Sequence, residues 1–441
     1  MIRQLTDYFV KWHTRSDRKP LLVRGARQVG KTWLVRDVAR TLGVKLIEIN
    51  FELHPVAKTA FNSLDPQDIL KALSFLGYPV TDLPNSLLFF DEIQECPQAI
   101  TALRYFYETR PDIAVIGTGS LLEFALEAEH LSIPVGRIEY VWLYPMNFVE
   151  YLYAKGNSAL AEAISDFDIA SGDWHETAHA QALLELRNYL FCGGMPQALK
   201  AMAQENDTEA CRRAHFSILQ SYRQDFHKYA GRINAALAEK LFMRAPGMVG
   251  GRFKFSHIDP DSRASEVKSA VVALEKAGVI RRVFHTSGQG LPLATDSNER
   301  IAKMVMLDVG LMHSALQIDA HLVQEPDLLA IHRGAVAEQF VAQELLCAMP
   351  VGCEGELYFW VREALNSQAE VDYVISAGSQ VLPVEVKSGA AGSLKSLNLF
   401  LDSHPSSRRG VRLYSGMPFA SERVIHLPLY FAGALWGNRK Q

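Results

Sequence analysis

Several features that mark particular protein classes are scarce in this sequence of 441 residues. It has no basic excess: 45 Lys and Arg stand against 49 Asp and Glu, for a net charge of −4. That balance excludes a globally basic nucleic-acid binder and leaves only local basic patches for such a role. The five cysteines are scattered without a CxxC pair, which is typical of reduced thiols in a cytoplasmic protein.

Long hydrophobic runs, repeats and low-complexity segments are also missing. The N-terminus "MIRQLTDYFVKWH" has no apolar core of signal-peptide length. The late apolar stretch "LPLYFAGALWG" is too short to span a bilayer, and we expect a core strand there. These features predict a cytoplasmic globular protein without a membrane segment. The chain is long enough for two or three domains.

The first 150 residues alternate short apolar runs with helical segments, which predicts an α/β domain with a parallel sheet. The predicted strands are "LLVRG" from Leu21, "KLIEINF" from Lys45, "SLLFFDE" from Ser86, "IAVIGTGS" from Ile113 and "RIEYVWLYP" from Arg137.

Residues 151–320 are predicted to be a helical linker followed by a winged-helix domain. A helix break is expected at "CGGMP", and an amphipathic helix over Ala264–Lys276 ends before Gly278. A strand-like run "VIRRVFH" and a Gly-rich turn follow, so the order of helices and hairpin is that of a winged helix. Residues 325–441 form a third predicted domain, which opens with a helix over Gly334–Leu346 and continues as strands.

The segment "GARQVGKT" fits the phosphate-binding pattern GxxxxGK[ST] between an apolar strand and a helix. Glycines let the backbone N–H groups turn toward phosphate, and the helix N-terminus adds a favourable dipole. Lys31 would reach the β- and γ-phosphates, and Thr32 would ligate Mg²⁺. The predicted ATP-binding residues of this loop are Gly25, Ala26, Arg27, Gln28, Val29, Gly30, Lys31, Thr32 and Trp33.

Two further apolar strands supply the rest of a nucleotide site. Asp91 and Glu92 follow "SLLFF", where Asp91 would hold Mg²⁺ and Glu92 would orient the attacking water. Thr118 and Ser120 in "GTGS" are suited to sensing the γ-phosphate, although Ser120 can equally cap the next helix. Arg137 is a candidate for stabilising transition-state charge, in its own chain or a second one; the alternative is a surface arginine.

Near the C-terminus, "EVDYVISAGSQVLPVEVKSG" contains two runs of period two around Gly378-Ser379, which predicts a hairpin with a type II′ turn. This pairing places Asp372 opposite Glu385 and Glu370 opposite Lys387, all on one face. The repulsion between Asp372 and Glu385 would be resolved if both bind Mg²⁺, with Lys387 stabilising developing charge. The alternative is a solvated polar face with a Glu370–Lys387 ion pair, and spacing alone leaves both open.

The whole chain resembles a large prokaryotic group of AAA-type ATPases whose C-terminal half is a domain of unknown function with a PD-(D/E)xK nuclease-like core. The resemblance is carried by "GARQVGKT", "LLFFDEIQ", "GTGS", "GRIEYVWLYPMNFVEYL", "NYLFCGGMPQAL", "KMVMLDVGL", "RGAVAEQFVAQEL", "EVDYVI" and "PVEVKSG". It implies a P-loop ATPase, a winged helix and an α/β restriction-endonuclease-like domain. The motif residues carried over are Glu338, Asp372, Glu385 and Lys387, with "EVD" in place of "PD".

Two functions follow from these expectations. In the first, ATP controls a Mg²⁺-dependent nuclease that acts on nucleic acid, DNA rather than RNA. In the second, the chain is an ATP-driven signalling or assembly switch that binds protein or DNA without cleavage. The complete set of motif residues favours the first, and the low overall basicity favours the second. Self-association is compatible with either.

Overall fold

The computed structural model describes residues 1–120, 122–124, 136–169, 173–228, 234–253, 255–259, 262–317, 333–353, 355–362, 369–389 and 392–436. The chain divides into two compact units with the main division between Tyr144 and Pro145. We call them the N-terminal unit and the C-terminal unit.

The N-terminal unit is built on a parallel sheet of five strands in the order β2-β3-β4-β1-β5. The strands are β1 (Leu21–Arg24), β2 (Lys45–Asn50), β3 (Ser86–Asp91), β4 (Ala114–Thr118) and β5 (Glu139–Trp142). The helices are α1 (Leu5–Thr14), α2 (Lys31–Leu42), α3 (Pro66–Phe75) and α4 (Pro97–Thr109). All five predicted strands are confirmed.

The core of this sheet is apolar throughout, as expected for parallel strands covered on both faces. Every residue of β3 and of β4 is buried. Phe90 of β3 makes an edge-on contact with Phe61, with ring centroids 5.3 Å apart, and also packs against Phe51 and Phe106. This packing fixes the carboxyl end of β3, where Asp91 and Glu92 leave the sheet.

The C-terminal unit contains the remaining helices and a mixed sheet. Its helices are α5 (Phe148–Ala154), α6 (Ser158–Ser165), α7 (Glu176–Cys192), α8 (Pro196–Lys200), α9 (Thr208–Lys228), α10 (Ala235–Arg244), α11 (Phe255–Ile258), α12 (Ala264–Lys276), α13 (Val309–Ala315), α14 (Arg333–Ala348) and α15 (Lys395–Ser403). The break expected at "CGGMP" is confirmed between α7 and α8, and α12 has the predicted bounds.

Nine strands form the sheet of this unit, in the order β13-β14-β12-β11-β10-β9-β7-β8-β6. They are β6 (Arg252–Phe253), β7 (Ile280–Thr286), β8 (Ser297–Met306), β9 (Leu357–Val361), β10 (Glu370–Ala377), β11 (Gln380–Val386), β12 (Gly410–Tyr414), β13 (Phe419–Ala420) and β14 (Val424–Pro428). The chain therefore has the predicted α/β class: a parallel five-stranded sheet followed by a helical and mixed-sheet region.

The β7–β8 hairpin, predicted as the wing of a separate domain, pairs through β7 with β9 in parallel. One sheet thus combines strands from the predicted segments 151–320 and 325–441. The predicted boundary at 320–325 itself lies outside the described residues.

The expectation of a core strand over "LPLYFAGALWG" is largely wrong. Strand β14 ends at Pro428, and Leu429–Trp436 form a 3₁₀ helix instead. Pro428 has no N–H to donate, which suits the end of a strand. Among the described helices, none combines the length and apolar character needed to cross a membrane.

Candidate functional site

The phosphate-binding loop connects β1 to α2, and its glycines are required by its geometry. Gly25 has φ +143°, and a Cβ at this position would lie 2.2 Å from the carbonyl oxygen of Leu143. Gly30 has φ +97° and forms the N-cap of α2. A side chain at either position would be strained, so the loop holds its shape only with glycine there. Ala26 and Val29 are buried, whereas Trp33 is partly exposed.

Lys31 lies against the carbonyl groups of its own loop. Its Nζ donates to the carbonyl oxygen of Gly25 at 2.9 Å and to that of Ala26 at 2.8 Å. Burial lowers the pKa of Lys31 to about 8, and the carboxylates of Glu92 and Asp91 partly oppose this effect. The ammonium group is therefore held inside the loop by weak acceptors that phosphate oxygens can replace.

Asp91 is the convergence point of three strands and the loop. Its carboxylate accepts hydrogen bonds from the Thr32 hydroxyl at 3.1 Å and 3.2 Å, from the Thr118 hydroxyl at 2.5 Å and from Asn50 Nδ2 at 3.0 Å. Burial raises the pKa of Asp91, and these donors oppose the rise. The structure thus brings together three sequence-predicted residues, Thr32, Asp91 and Thr118.

Asn50 was not among the predicted site residues. It ends β2 directly opposite Asp91 in the register of β2 and β3. Polar residues at the carboxyl ends of neighbouring parallel strands meet at one edge of the sheet, and that rule would have indicated Asn50.

Glu92 has the left-handed φ of +50°, which is uncommon for a residue with a side chain and often marks functional sites. Its Oε2 accepts from Ser120 Oγ at 3.1 Å and from Gln94 Nε2 at 2.7 Å. Arg27 Nε lies 3.5 Å from the same Ser120 hydroxyl. Ser120 therefore connects Glu92, the predicted water-orienting residue, to Arg27 of the loop. Residue 121 lies outside the described residues, so the alternative that Ser120 caps the next helix stays open.

Arg137 does not lie at the nucleotide site of its own chain. The parallel register pairs Leu21 with Glu139 and Arg24 with Trp142. Arg137 precedes Glu139, so it is at the amino edge of the sheet, whereas the loop is at the carboxyl edge. Its Nε binds Glu108 Oε1 at 2.9 Å on the surface. A strand length therefore separates Arg137 from the loop of its own chain. Action on a second chain stays a prediction, and the surface arginine stays the alternative.

The C-terminal hairpin has the predicted register. Strands β10 and β11 pair from Tyr373↔Val384 to Ala377↔Gln380, and of the two turn residues only Gly378 has a positive φ. Asp372 accepts from the backbone N–H of Val386 at 2.8 Å, next to Glu385. The side chains of Asp372 and Glu385 thus belong to one acidic cluster, whose other members are Glu338 of α14 and Glu370 of β10.

The ion pairs of this cluster differ from the Glu370–Lys387 pair of the alternative interpretation. Lys387 Nζ binds Glu385 Oε1 at 2.5 Å, and Glu370 binds Arg252 and Lys303 instead. The cluster is also mostly shielded from solvent, since the side chains of Glu385 and Asp372 are 5% and 13% exposed. The solvated polar face weighed as the alternative is therefore not what the hairpin forms.

Lys303 of β8 is the main residue that the sequence prediction missed. Its Nζ lies 2.5 Å from Glu370 Oε1, 3.1 Å from Glu338 Oε2 and 3.5 Å from Asp372 Oδ1. Burial by itself would lower the pKa of Lys303, but the carboxylates of Glu338, Asp372 and Glu370 outweigh it and raise the pKa. The lysine is 67 residues or more from β10 in the sequence, so no local pattern signals the contact.

The four carboxyl groups of the cluster lie beside three basic side chains, those of Arg252, Lys303 and Lys387. Burial raises the pKa of Glu338, and the Asp372 carboxylate raises it further against the effect of Lys303. Burial and Asp372 likewise raise the pKa of Glu385, whose Oε2 is buried without a hydrogen-bond partner. A buried carboxylate oxygen without a donor fits a cation ligand.

The fit to a divalent cation is incomplete in this arrangement. Within the described part of the chain, no group of three or more His, Cys, Asp or Glu side chains is placed to hold a metal ion. Asp372 and Glu385 supply two carboxylates. The third carboxylate, that of Glu338, forms an ion pair with Lys303. At the nucleotide loop, by contrast, Thr32 and Asp91 already lie side by side in the arrangement expected for Mg²⁺ bound with ATP.

Comparison with family models agrees with this geometry. Residues 17–152 match a model described as an AAA domain. This N-terminal region is an AAA-type P-loop ATPase domain. Residues 183–322 and 333–430 match two models described as domains of unknown function, DUF8612 and DUF4143, which assign no activity. No curated protein matches the sequence.

Solved structures give distant similarities to this chain. The Walker-type ATPase of Pyrococcus abyssi is 16% identical, with 71% of this chain and 95% of that chain covered and a TM-score of 0.44. The ORC2 protein of Aeropyrum pernix is 13% identical, with 73% and 94% covered and a TM-score of 0.36. The RuvB branch migration motor of Thermotoga maritima is 14% identical, with 64% and 90% covered and a TM-score of 0.26. Similarities at this level carry no argument about function.

Proposed function

We propose that this chain hydrolyses ATP at the Gly25–Thr32 loop and that its C-terminal unit acts on nucleic acid, DNA rather than RNA, under the control of ATP. The observation that carries the ATPase part is the convergence of the Thr32 and Thr118 hydroxyls on Asp91, within 3.2 Å. Lys31 and Glu92 lie at the same edge of the sheet, so the groups needed for phosphoryl transfer to water are close together.

Each of these residues has a role that follows from its position. Lys31 exchanges the loop carbonyls for β- and γ-phosphate oxygens, and Thr32 and Asp91 hold Mg²⁺. When bound with ATP, Mg²⁺ neutralises charge on the phosphates. Glu92 orients the attacking water, and Ser120, which already donates to Glu92, reports whether the γ-phosphate is present.

Phosphate release tests this assignment. We expect Lys31→Ala to lower the rate by about a hundredfold, since it removes a charged donor from the transferred phosphate. Lys71→Ala is the matched control, because Lys71 is an exposed lysine of α3 in the same unit. Unchanged release in Lys31→Ala would show that hydrolysis occurs elsewhere.

The nuclease part of the proposal rests on the acidic cluster. Asp372 and Glu385 would hold Mg²⁺, with Glu338 as a third carboxylate, and Lys387 would stabilise charge that develops on the scissile phosphate. The support is the Glu385 Oε2 atom, which has no hydrogen-bond partner, and the 2.8 Å hydrogen bond to Asp372 from the N–H of Val386, the residue after Glu385. A bound Mg²⁺ would supply Lewis-acid activation of the phosphodiester.

The winged-helix part is supported by α12 followed by the β7–β8 hairpin. Of the two adjacent arginines of β7, Arg281 and Arg282, the second donates to the Glu275 carboxylate from its backbone N and from its Nε, each at 2.9 Å. Arg408 and Arg409, by contrast, are exposed. DNA contacts by the hairpin are therefore proposed to come from residues other than Arg282.

Labelled DNA and RNA, incubated with Mg²⁺ or Mn²⁺ and with or without ATP, test the nuclease part. With ATP present, we expect cleavage by the wild type, none by Asp372→Ala, and wild-type cleavage by Asp402→Ala, which changes an exposed aspartate of the same unit. Equal behaviour of the wild type and Asp372→Ala would refute a nuclease site at this cluster.

A second candidate function is an ATP-driven signalling or assembly switch that binds protein or DNA without cutting it. The observation that favours it is Lys303, whose ammonium group lies among the carboxylates that a metal would need. In this function the partner is another protein or a second copy of the chain. In the second case, Arg137 would stabilise the transition-state charge on ATP bound to that copy. Absence of cleavage together with intact ATP hydrolysis is the result expected for the switch.

A further inference from the structure

Lys303 is a charged side chain in an unusual place. It lies on β8 between β7 and β6, opposite Val283 on one side and Arg252 on the other. Its side chain is 2% exposed, and lysine is almost never this buried unless it is paired. Its Nζ also lies 5.3 Å from the centre of the Phe359 ring. The strand and the ring hold the ammonium group in a fixed position next to three carboxylates.

The position of this ammonium group matters because it shares ligands with the proposed metal site. The oxygens nearest to it include Glu338 Oε2 at 3.1 Å and Asp372 Oδ1 at 3.5 Å. A divalent cation held by the same two carboxylates would lie within a few ångströms of a positive charge, in a site with little water to screen the repulsion. Glu385 Oε2 has no hydrogen-bond partner, so this oxygen is free to coordinate a cation.

We propose that Lys303 is a built-in counter-ion that keeps a divalent cation out of the Asp372–Glu385 site until its ammonium group is displaced. The site is then a metal site held in a closed state by a lysine of the same unit. This inference rests on the proposed function, since it assumes that Asp372 and Glu385 are metal ligands. A lysine that only stabilises the fold would not change metal affinity in this way.

Mn²⁺ binding to the full-length protein, measured by electron paramagnetic resonance without nucleotide, tests the inference. The relevant binding is the part that Asp372→Asn removes, which separates it from binding at the nucleotide loop. We expect Lys303→Met to bind Mn²⁺ at this site at least about tenfold more tightly than the wild type, which corresponds to about 1.4 kcal/mol. Lys303→Arg keeps the positive charge and should bind as weakly as the wild type.

Removing Lys303 alone leaves buried carboxylates unneutralised and can destabilise the unit. The double variant Lys303→Met with Glu370→Gln removes one positive and one negative charge together. It keeps Glu338, Asp372 and Glu385, so the same gain in Mn²⁺ affinity is expected if the single variant does not fold.

The outcomes separate this inference from the proposed function. If the wild type and the Lys303 variants bind Mn²⁺ with equal affinity and this binding depends on Asp372, the counter-ion role is overturned but the metal site is not. No Asp372-dependent binding in any variant would overturn the metal site, and the inference with it. Tighter binding in Lys303→Met and in the double variant, but not in Lys303→Arg, supports both.

Discussion

The loss of Asp308 should destabilise the C-terminal unit by a calculable amount. Asp308 is the N-cap of α13, where Oδ1 accepts from the N–H of Leu311 at 3.0 Å. Its Oδ2 accepts from the N–H of Gly194 at 2.6 Å and from Gln343 Nε2 at 3.2 Å. The carboxylate therefore joins three segments, and Gly193 must be glycine because a Cβ there would lie 2.1 Å from Oδ1.

Asp308→Ala removes one cap and leaves two buried N–H groups without an acceptor. These are the N–H of Gly194 and one of the two on Gln343 Nε2, which also donates to the Tyr189 hydroxyl at 2.8 Å. Loss of the cap costs about 1 kcal/mol. Each buried donor left unpaired costs about 1–3 kcal/mol. The free energy of unfolding should therefore fall by about 3–7 kcal/mol at pH 5.

The pH dependence sharpens this prediction. Burial raises the pKa of Asp308 from 3.8 to about 6. Between these values the folded chain keeps a proton that the unfolded chain has released, so this group's contribution to stability falls as pH rises. Asp308→Asn and Asp308→Ala have no carboxyl group to titrate at this position. The loss in their free energy of unfolding relative to the wild type should therefore be about 1 kcal/mol smaller at pH 7 than at pH 5.

Hydrogen exchange followed by mass spectrometry is the suitable assay, because unfolding of a chain with two units need not be two-state. Peptides that cover Gly194 and Leu311 report the opening free energy of this region. Asp402→Ala serves as the exposed control. The reasoning is refuted if Asp308→Ala exchanges as slowly as the wild type, or if its deficit grows from pH 5 to pH 7.

Three other predictions concern the nucleotide site. Affinity for ATP should fall as pH rises through about 8, where buried Lys31 loses its proton. Lys31→Arg should remove this pH dependence because arginine stays charged. Titration with a fluorescent ATP analogue at several pH values measures the affinity, and a wild-type affinity that does not change with pH contradicts the prediction. Gly25→Ala should lower ATP affinity by at least about tenfold, because its Cβ would collide with the Leu143 carbonyl; equal affinity would show that the loop can move aside. Arg137→Ala should leave the hydrolysis rate of dilute, monomeric protein unchanged, and a loss there would contradict its position at the amino edge.

Much of the nucleotide site could be predicted from the sequence, because its signals are local. The loop glycines, Lys31 and Thr32 lie within eight residues. Asp91, Glu92 and Thr118 each follow a buried apolar strand. Parallel pairing brings the ends of such strands to one edge, so the convergence on Asp91 needed only the strand assignments.

The hairpin register was predictable for a similar reason. The positive φ of Gly378 and the alternation of apolar residues fix which residues of β10 and β11 face each other. Lys303, however, contacts Glu370 only because β7, the partner of β8, pairs with β9 of the C-terminal strands. Sequence spacing carries no information about that long-range pairing, and the counter-ion was therefore missed.

Arg137 and the 3₁₀ helix over Leu429–Trp436 were predicted less well. The predicted strand "RIEYVWLYP" begins at Arg137 in a sheet predicted to be parallel, so the amino edge followed from the strand assignment, whereas the candidate role rested on residue type alone. The apolar run was assigned to a strand by length and hydrophobicity, yet the same composition suits a buried helical turn. Most of the run is buried in that helical form.

The central claim is that Glu92 activates water for ATP hydrolysis at the Gly25–Thr32 loop. The most direct measurement compares nucleotide affinity and single-turnover phosphate release in the wild type and in Glu92→Gln. We expect Glu92→Gln to bind ATP as tightly as the wild type but to release phosphate at least about a hundredfold more slowly. Phosphate release at the wild-type rate with ATP bound would contradict it.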